Sequence, residues 1–166
     1  MTEETHPLGT LTRHGDAYEG RIVRAFGHPP DRVWAMLTDQ ASLPQWLSRG
    51  SVEPRLGGKV SIDFVDSGIV IDSVVTAFEA GALLEYSWSS GDEPKRPLRW
   101  SLSSTGEGTR LELSVTVPAG EDPAKACAGF DAHLEMLAAA LEGIPIKFPF
   151  MLYKTARQGY SDLLRS

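Results

Sequence analysis

Between Val60 and Val117 apolar and polar positions alternate with a period of two. Val60, Ile62 and Phe64 are separated by Ser61 and Asp63, and Leu84, Tyr86 and Trp88 by Glu85 and Ser87. Leu98, Trp100 and Leu102 then alternate with Arg99, Ser101 and Ser103, and Leu111, Leu113, Val115 and Val117 with Glu112, Ser114 and Thr116. Such alternation is that of strands with one covered face. The segments are joined by turn signals: Gly57-Gly58, Asp66-Ser67-Gly68, residues 79–82, the polar stretch 89–97, and 105–108. Connections this short join antiparallel neighbours, so the pattern predicts a meander. An earlier strand is expected from Tyr18 to Gly27, ended by Pro29 and Pro30.

Two segments carry the helical period. Residues 31–39 place Val33, Trp34 and Leu37 on one side, and a second, shorter helix is expected from Ala41 to Leu47, with Ser42 as its cap and Trp46 as its large apolar residue. The dominant helix is residues 122–143. Asp122 is suited to cap it, Pro123 to its first turn, and Gly143 to its stop. Cys127, Phe130, Leu134, Leu137 and Leu141 form its apolar stripe, with Lys125, Asp131, Glu135 and Glu142 expected away from it. The predicted fold class is α+β: a curved antiparallel sheet gripping a long C-terminal helix, with two short helices after the first strand. Residues 1–17 read as a flexible arm and 18–143 as the domain. Residues 144–166 read as a helical extension by the spacing of Tyr153, Ala156, Tyr160 and Leu164: a helix docked on its own domain, a homodimer contact or a lid.

Composition narrows the functional classes. The 166 residues carry 16 Lys plus Arg against 22 Asp plus Glu, a net charge of −6. That balance disfavours nucleic acid and anionic membrane surfaces as partners. Lys95, Arg96 and Arg99 form a small basic knot, but Asp92 and Glu93 beside them make it read as a solvated hairpin. One cysteine allows no intrachain disulfide, and the N-terminus lacks a secretory layout, so a cytoplasmic setting is expected. No apolar run approaches the roughly 20 residues that span a bilayer.

The order of elements resembles the helix-grip fold of the START-like (SRPBCC) superfamily. Shorter motifs resemble its bacterial homologues of the heat-shock ATPase activator (AHSA1-like). They are Val33-Trp34 through Leu37-Thr38-Asp39 followed by Trp46, Pro54-Arg55-Leu56-Gly57-Gly58, Leu84-Glu85-Tyr86-Ser87-Trp88, Gly108-Thr109-Arg110-Leu111, and Gly129-Phe130-Asp131 followed by His133-Leu134. The chain departs from the pattern at Val115-Thr116-Val117, where many members carry a histidine, and at Phe130, where tryptophan is usual. The resemblance implies an apolar cavity between sheet and long helix. It also implies binding of a small lipophilic molecule or, in some members, cyclisation of polyketides.

Site chemistry is sparse. His6, His14, His28 and His133 are scattered, with no paired-cysteine or H-E-x-x-H spacing, so no metal is expected. There is no G-x-S-x-G, P-loop or dinucleotide fingerprint, and no cofactor is expected. Cys127 sits on the apolar stripe as a small hydrophobe. Trp34, Trp46, Phe64, Tyr86, Trp88, Trp100 and Phe130, with Leu134, fall on predicted inward faces. They either fill the core or line a ligand pocket, and both readings stand. His133 belongs at the edge of the stripe, as a buried partner of the sheet or as a polar contact at a cavity rim. Asp72 and Ser73 interrupt an apolar strand and face either solvent or the cavity. Three functions follow: a module binding a hydrophobic or aromatic ligand, an acid/base cyclase- or hydratase-like enzyme using His133, Asp72 and Tyr86, and a chaperone-docking module.

Overall fold

Eight strands form one antiparallel sheet, most of them joined to their sheet neighbours by short turns, while two helices carry the chain from the second strand to the third at the far edge. In the computed structural model, which describes residues 8–64 and 67–165, the order is β1 (Thr10–His14), β2 (Ala17–Phe26), β3 (Arg49–Val52), β4 (Lys59–Phe64), β5 (Ile69–Glu79), β6 (Leu83–Ser87), β7 (Pro97–Ser104) and β8 (Thr109–Val117). Across the sheet they run β1-β2-β8-β7-β6-β5-β4-β3. Helices α1 (Pro30–Thr38) and α2 (Leu43–Trp46) link β2 to β3; α3 (Pro123–Leu141) and α4 (Phe150–Arg165) follow β8. This is the α+β helix-grip arrangement that the alternation predicts.

The register places the expected residues inward. Trp100 opposes Leu113 on β8 and Leu84 on β6, and all three are buried. Helix α3 lies against this face. Its N-terminus is built as its sequence requires: the Asp122 carboxylate accepts from the backbone N–H of Ala124 at 3.0 Å and of Lys125 at 3.4 Å. At the other end Gly143 takes a positive φ of 79°, the left-handed stop that a side chain would strain. Close approach of sheet to helix needs Gly20 on β2, where a Cβ would fall 2.4 Å from Cys127 Sγ.

Three expectations are corrected. The arm over residues 1–17 is not loose where it is described: Thr10–His14 pair with Ala17–Arg21 as β1, because Gly15, at φ 65°, turns the chain back on itself. Residues 1–7 of that arm, and Asp66 of the expected turn, lie outside the described residues. The second short helix is a single turn, Leu43–Trp46, and Ser42 does not cap it, since its own backbone is already helical. Asp131 does not lie on a solvent face. It is 2% exposed, because α4 packs along α3 and Arg24 of β2 reaches it from the sheet.

Asp131 is held by a polar network between these layers. Arg24 reaches it from β2 at 2.5 Å, and Tyr160 of α4 donates to its other oxygen at 2.6 Å. The Tyr160 hydroxyl in turn accepts from the backbone N–H of Gly9 at 2.8 Å. The pairing satisfies a charge that would otherwise be costly to bury. Ala156 and Tyr160 are the buried residues of α4, and Leu8 fills the space a side chain at Gly159 would need.

Candidate functional site

Alternation on β4 and β6 turns Phe64 and Trp88 toward α3, where the helical period brings Phe130 and His133 to the same side. Their rings form a run: Phe130 to Trp88 at 5.2 Å, Trp88 to Phe64 at 5.9 Å and Phe64 to His133 at 6.0 Å, each edge to face. The linker between α3 and α4 continues it. Phe148 lies 5.5 Å from His133, 4.9 Å from Phe150 and 5.7 Å from Tyr153. Edge-to-face rings at these separations attract beyond their buried area. They wall an open cleft of about 1040 Å³, with Gly129 and Met136 on its α3 side and Leu47, Ser48 and Arg49 at its α2–β3 side. Small-molecule sites typically occupy about 300–1,000 Å³, so this one is roomy.

His133 is the polar group set among the rings. Its Nδ1 lies 3.0 Å from the carbonyl oxygen of Trp46. A carbonyl can only accept, so Nδ1 carries the hydrogen and the neutral ring keeps an acceptor lone pair on Nε2. Burial lowers the His133 pKa, with the Trp46 carbonyl opposing it more weakly, so the ring is neutral at pH 7. Arg49, Arg96, Glu121, Asp122 and Lys125 add charge to the lining of the cleft. Arg96 is fully engaged: Nε and Nη2 meet the two carboxylate oxygens of Glu121 at 2.8 and 2.9 Å, and Nη1 donates to the Trp88 carbonyl at 3.0 Å. Those bonds hold the Glu121 carboxyl below its usual range. A smaller void of about 30 Å³, lined by Leu98, Val115 and Val117, shares this ion pair with the cleft.

The sequence-predicted residues divide. Phe64, Trp88 and Phe130 line the cleft, and so does His133. Trp46, Tyr86, Trp100 and Leu134 do not; each is 1% exposed and fills the core. Trp46 meets Trp100 edge to face at 5.6 Å and donates from Nε1 to the Met36 carbonyl at 2.7 Å. Trp34 packs on Phe78 at 5.8 Å, away from the cleft. Asp72 is exposed on the outer face of β5, where its backbone N–H donates to the Ser89 carbonyl. Ser73 is tied to the Ser87 carbonyl at 2.8 Å. Tyr86 is entirely enclosed, and burial pushes its hydroxyl well above the ordinary range. The acid/base trio of His133, Asp72 and Tyr86 is therefore not brought together. Cys127 is buried, and its thiol is pushed up to about 12, chiefly by burial and further by Asp131. It is a protonated packing group, not a nucleophile. Among the described residues no cluster of His, Cys, Asp and Glu could hold a metal ion.

Sequence reasoning did not place Phe148 and Phe150 at the site, and gave Tyr153 only as a spacing residue of the C-terminal helix. It also set aside Arg96 as part of a solvated hairpin. The signal available was the density of aromatics in residues 148–153.

Comparison with known proteins gives the same fold. CalU16 from Micromonospora echinospora superposes with a TM-score of 0.80 at 22% identity, over 95% of this chain and 98% of that one. EF2215 from Enterococcus faecalis, a conserved protein of unknown function, gives 0.76 at 19% identity, over 93% and 91%. DynU16, a protein in the dynemicin biosynthetic locus, gives 0.69 at 30% identity, over 76% of this chain but 48% of that one. No curated protein matches. No helix of the described residues is long and apolar enough to cross a membrane. The family model described as Activator of Hsp90 ATPase homolog 1-like protein matches residues 27–142, the span from the turn after β2 to the end of α3, and the chain belongs to that family.

Proposed function

We propose that the protein binds a small hydrophobic or aromatic molecule in the cleft between α3, the β4–β5 hairpin and the α3–α4 linker. The observation that carries this reading is the continuous wall of rings, Phe130, Trp88, Phe64, His133 and Phe148, around about 1040 Å³ of open space. An apolar wall with one fixed polar atom is suited to holding a ligand by burial and orienting it by one hydrogen bond. The Nε2 of His133 is the acceptor, taking a hydroxyl or N–H hydrogen from the ligand.

The enzyme reading needs two titratable groups converging in the cleft. Neither of the two candidates named with His133 stands beside it in the cleft, since Tyr86 is in the core and Asp72 on the outer face. Binding without chemistry is therefore preferred. The buried single cysteine and net negative charge fit a cytoplasmic protein whose partner is a small molecule rather than a nucleic acid.

Native mass spectrometry of freshly purified protein, followed by denaturation and identification of released small molecules, tests the reading. A co-purifying lipophilic species that is lost in Trp88→Ala is the expected result. Empty protein, together with no thermal stabilisation by any apolar ligand, would overturn it.

A further inference from the structure

The charges around the cleft are unequally used. Glu121 is engaged by Arg96, which also lies 3.3 Å from Glu93. Asp122 caps α3 through one oxygen and meets Arg157 at 3.3 Å through the other. The two acidic groups lining the cleft are thus occupied. Arg49 and Lys125 line it as well, both exposed, and among the described residues neither side chain makes an ion pair or hydrogen bond. Asp63 is the register partner of Arg49 across β3–β4, yet no ion pair joins them within 4 Å. Two uncommitted cations therefore line an apolar cleft, on a chain whose net charge is −6.

A neutral ligand would gain nothing from that arrangement, and a cationic one would be repelled. We propose that the cleft takes an anionic amphiphile: a ring-bearing apolar body seated against Trp88, Phe130 and Phe148, with one negatively charged group, a carboxylate or sulfonate, placed between Arg49 and Lys125. The inference rests on the binding reading above and names the ligand class for the same cleft. Anion recognition here is by charge on flexible side chains, so it is sensitive to salt, whereas ring burial is not.

Two fluorescent probes with the same ring system separate the contributions: anilinonaphthalene sulfonate, which is anionic, and its uncharged parent phenylnaphthylamine. Titrations use the full chain, with Arg49→Gln, Lys125→Gln and the double variant; both residues are exposed, so folding is not at stake. For exposed charges about threefold in affinity per cation is expected, hence about tenfold preference of the wild type for the anionic probe. That preference disappears in the double variant, and shrinks as salt is raised from about 0.02 M to about 0.5 M. Binding of the neutral probe is unchanged throughout. Equal binding of the two probes by the wild type, or equal loss of both in the double variant, overturns the anionic assignment and leaves the apolar cleft standing. Failure of both probes to bind the wild type overturns the cleft reading and the anionic assignment with it. Retention of the neutral probe in Arg49→Gln/Lys125→Gln and its loss in Trp88→Ala is the pattern that supports both.

Discussion

Trp46 and Trp100 meet edge to face at 5.6 Å, and each is 1% exposed. Phe64 and Trp88 meet in the same way at 5.9 Å, yet both stay only partly buried along the wall of an open cleft. All four come from one-sided strands or amphipathic helices, and Phe130 touches both groups, 6.5 Å from Trp100 and 5.2 Å from Trp88. The difference lies in what covers them. Over Trp100 the α1–α2 segment supplies Trp46, locked by its bond to the Met36 carbonyl. Over Trp88 no such segment is laid: Phe130 of α3 and Phe64 meet it from the side, and the rest of the ring stays on the cleft. The same residue types make a core where a covering element exists and a binding surface where it runs out.

The sharpest way to break this comparison is to truncate one ring from each group. Trp100→Ala is expected to lose about 3–5 kcal/mol of stability, seen as a large drop in denaturant midpoint. Trp88→Ala should lose much less and instead abolish ligand stabilisation. Equal stability losses would mean that the two groups are one core. A second test strikes the layer behind the cleft. Asp131→Ala leaves Arg24 buried without its carboxylate, at a cost of about 3–5 kcal/mol, whereas Tyr160→Phe removes one hydrogen bond for about 1–2 kcal/mol. In Tyr160→Phe, faster proteolysis within residues 144–165 and weaker probe binding are expected together, because α4 carries the Phe150 and Tyr153 part of the wall.

The smallest effect is electrostatic. His133 has a folded pKa below its ordinary 6.5, so the unfolded chain binds its proton more readily. Its contribution to stability is thus present above about pH 6.5 and is lost as pH falls from there toward the lowered folded value. His133→Asn keeps a donor for the Trp46 carbonyl but cannot titrate. It should flatten the fall in melting temperature between about pH 7.5 and pH 5.5. An unchanged pH slope would show that the ring is not held neutral by burial.

Strand alternation, the Asp122 cap and the Gly143 stop made the sheet and the long helix legible in the sequence, because those signals are local. The site was legible in part. Phe64, Trp88, Phe130 and His133 could be placed on inward faces, but period alone cannot say whether an inward ring meets another layer or open space. That choice depends on where α1, α2 and the residue 148–153 segment fall, which is a matter of tertiary arrangement. Asp131 failed for a related reason. A helix has two sides, and its polar residue looked solvated until α4 was laid over it and Arg24 was brought in from a strand 107 positions away.

The bond from Gly9 to Tyr160 joins positions 151 residues apart. Closing so long a loop costs conformational entropy, which the packing of α4 on α3 must offset. One contact thus ties the helix that carries Phe150 and Tyr153 to the strand edge beside Gly9, so a change at either position reaches the wall of the cleft.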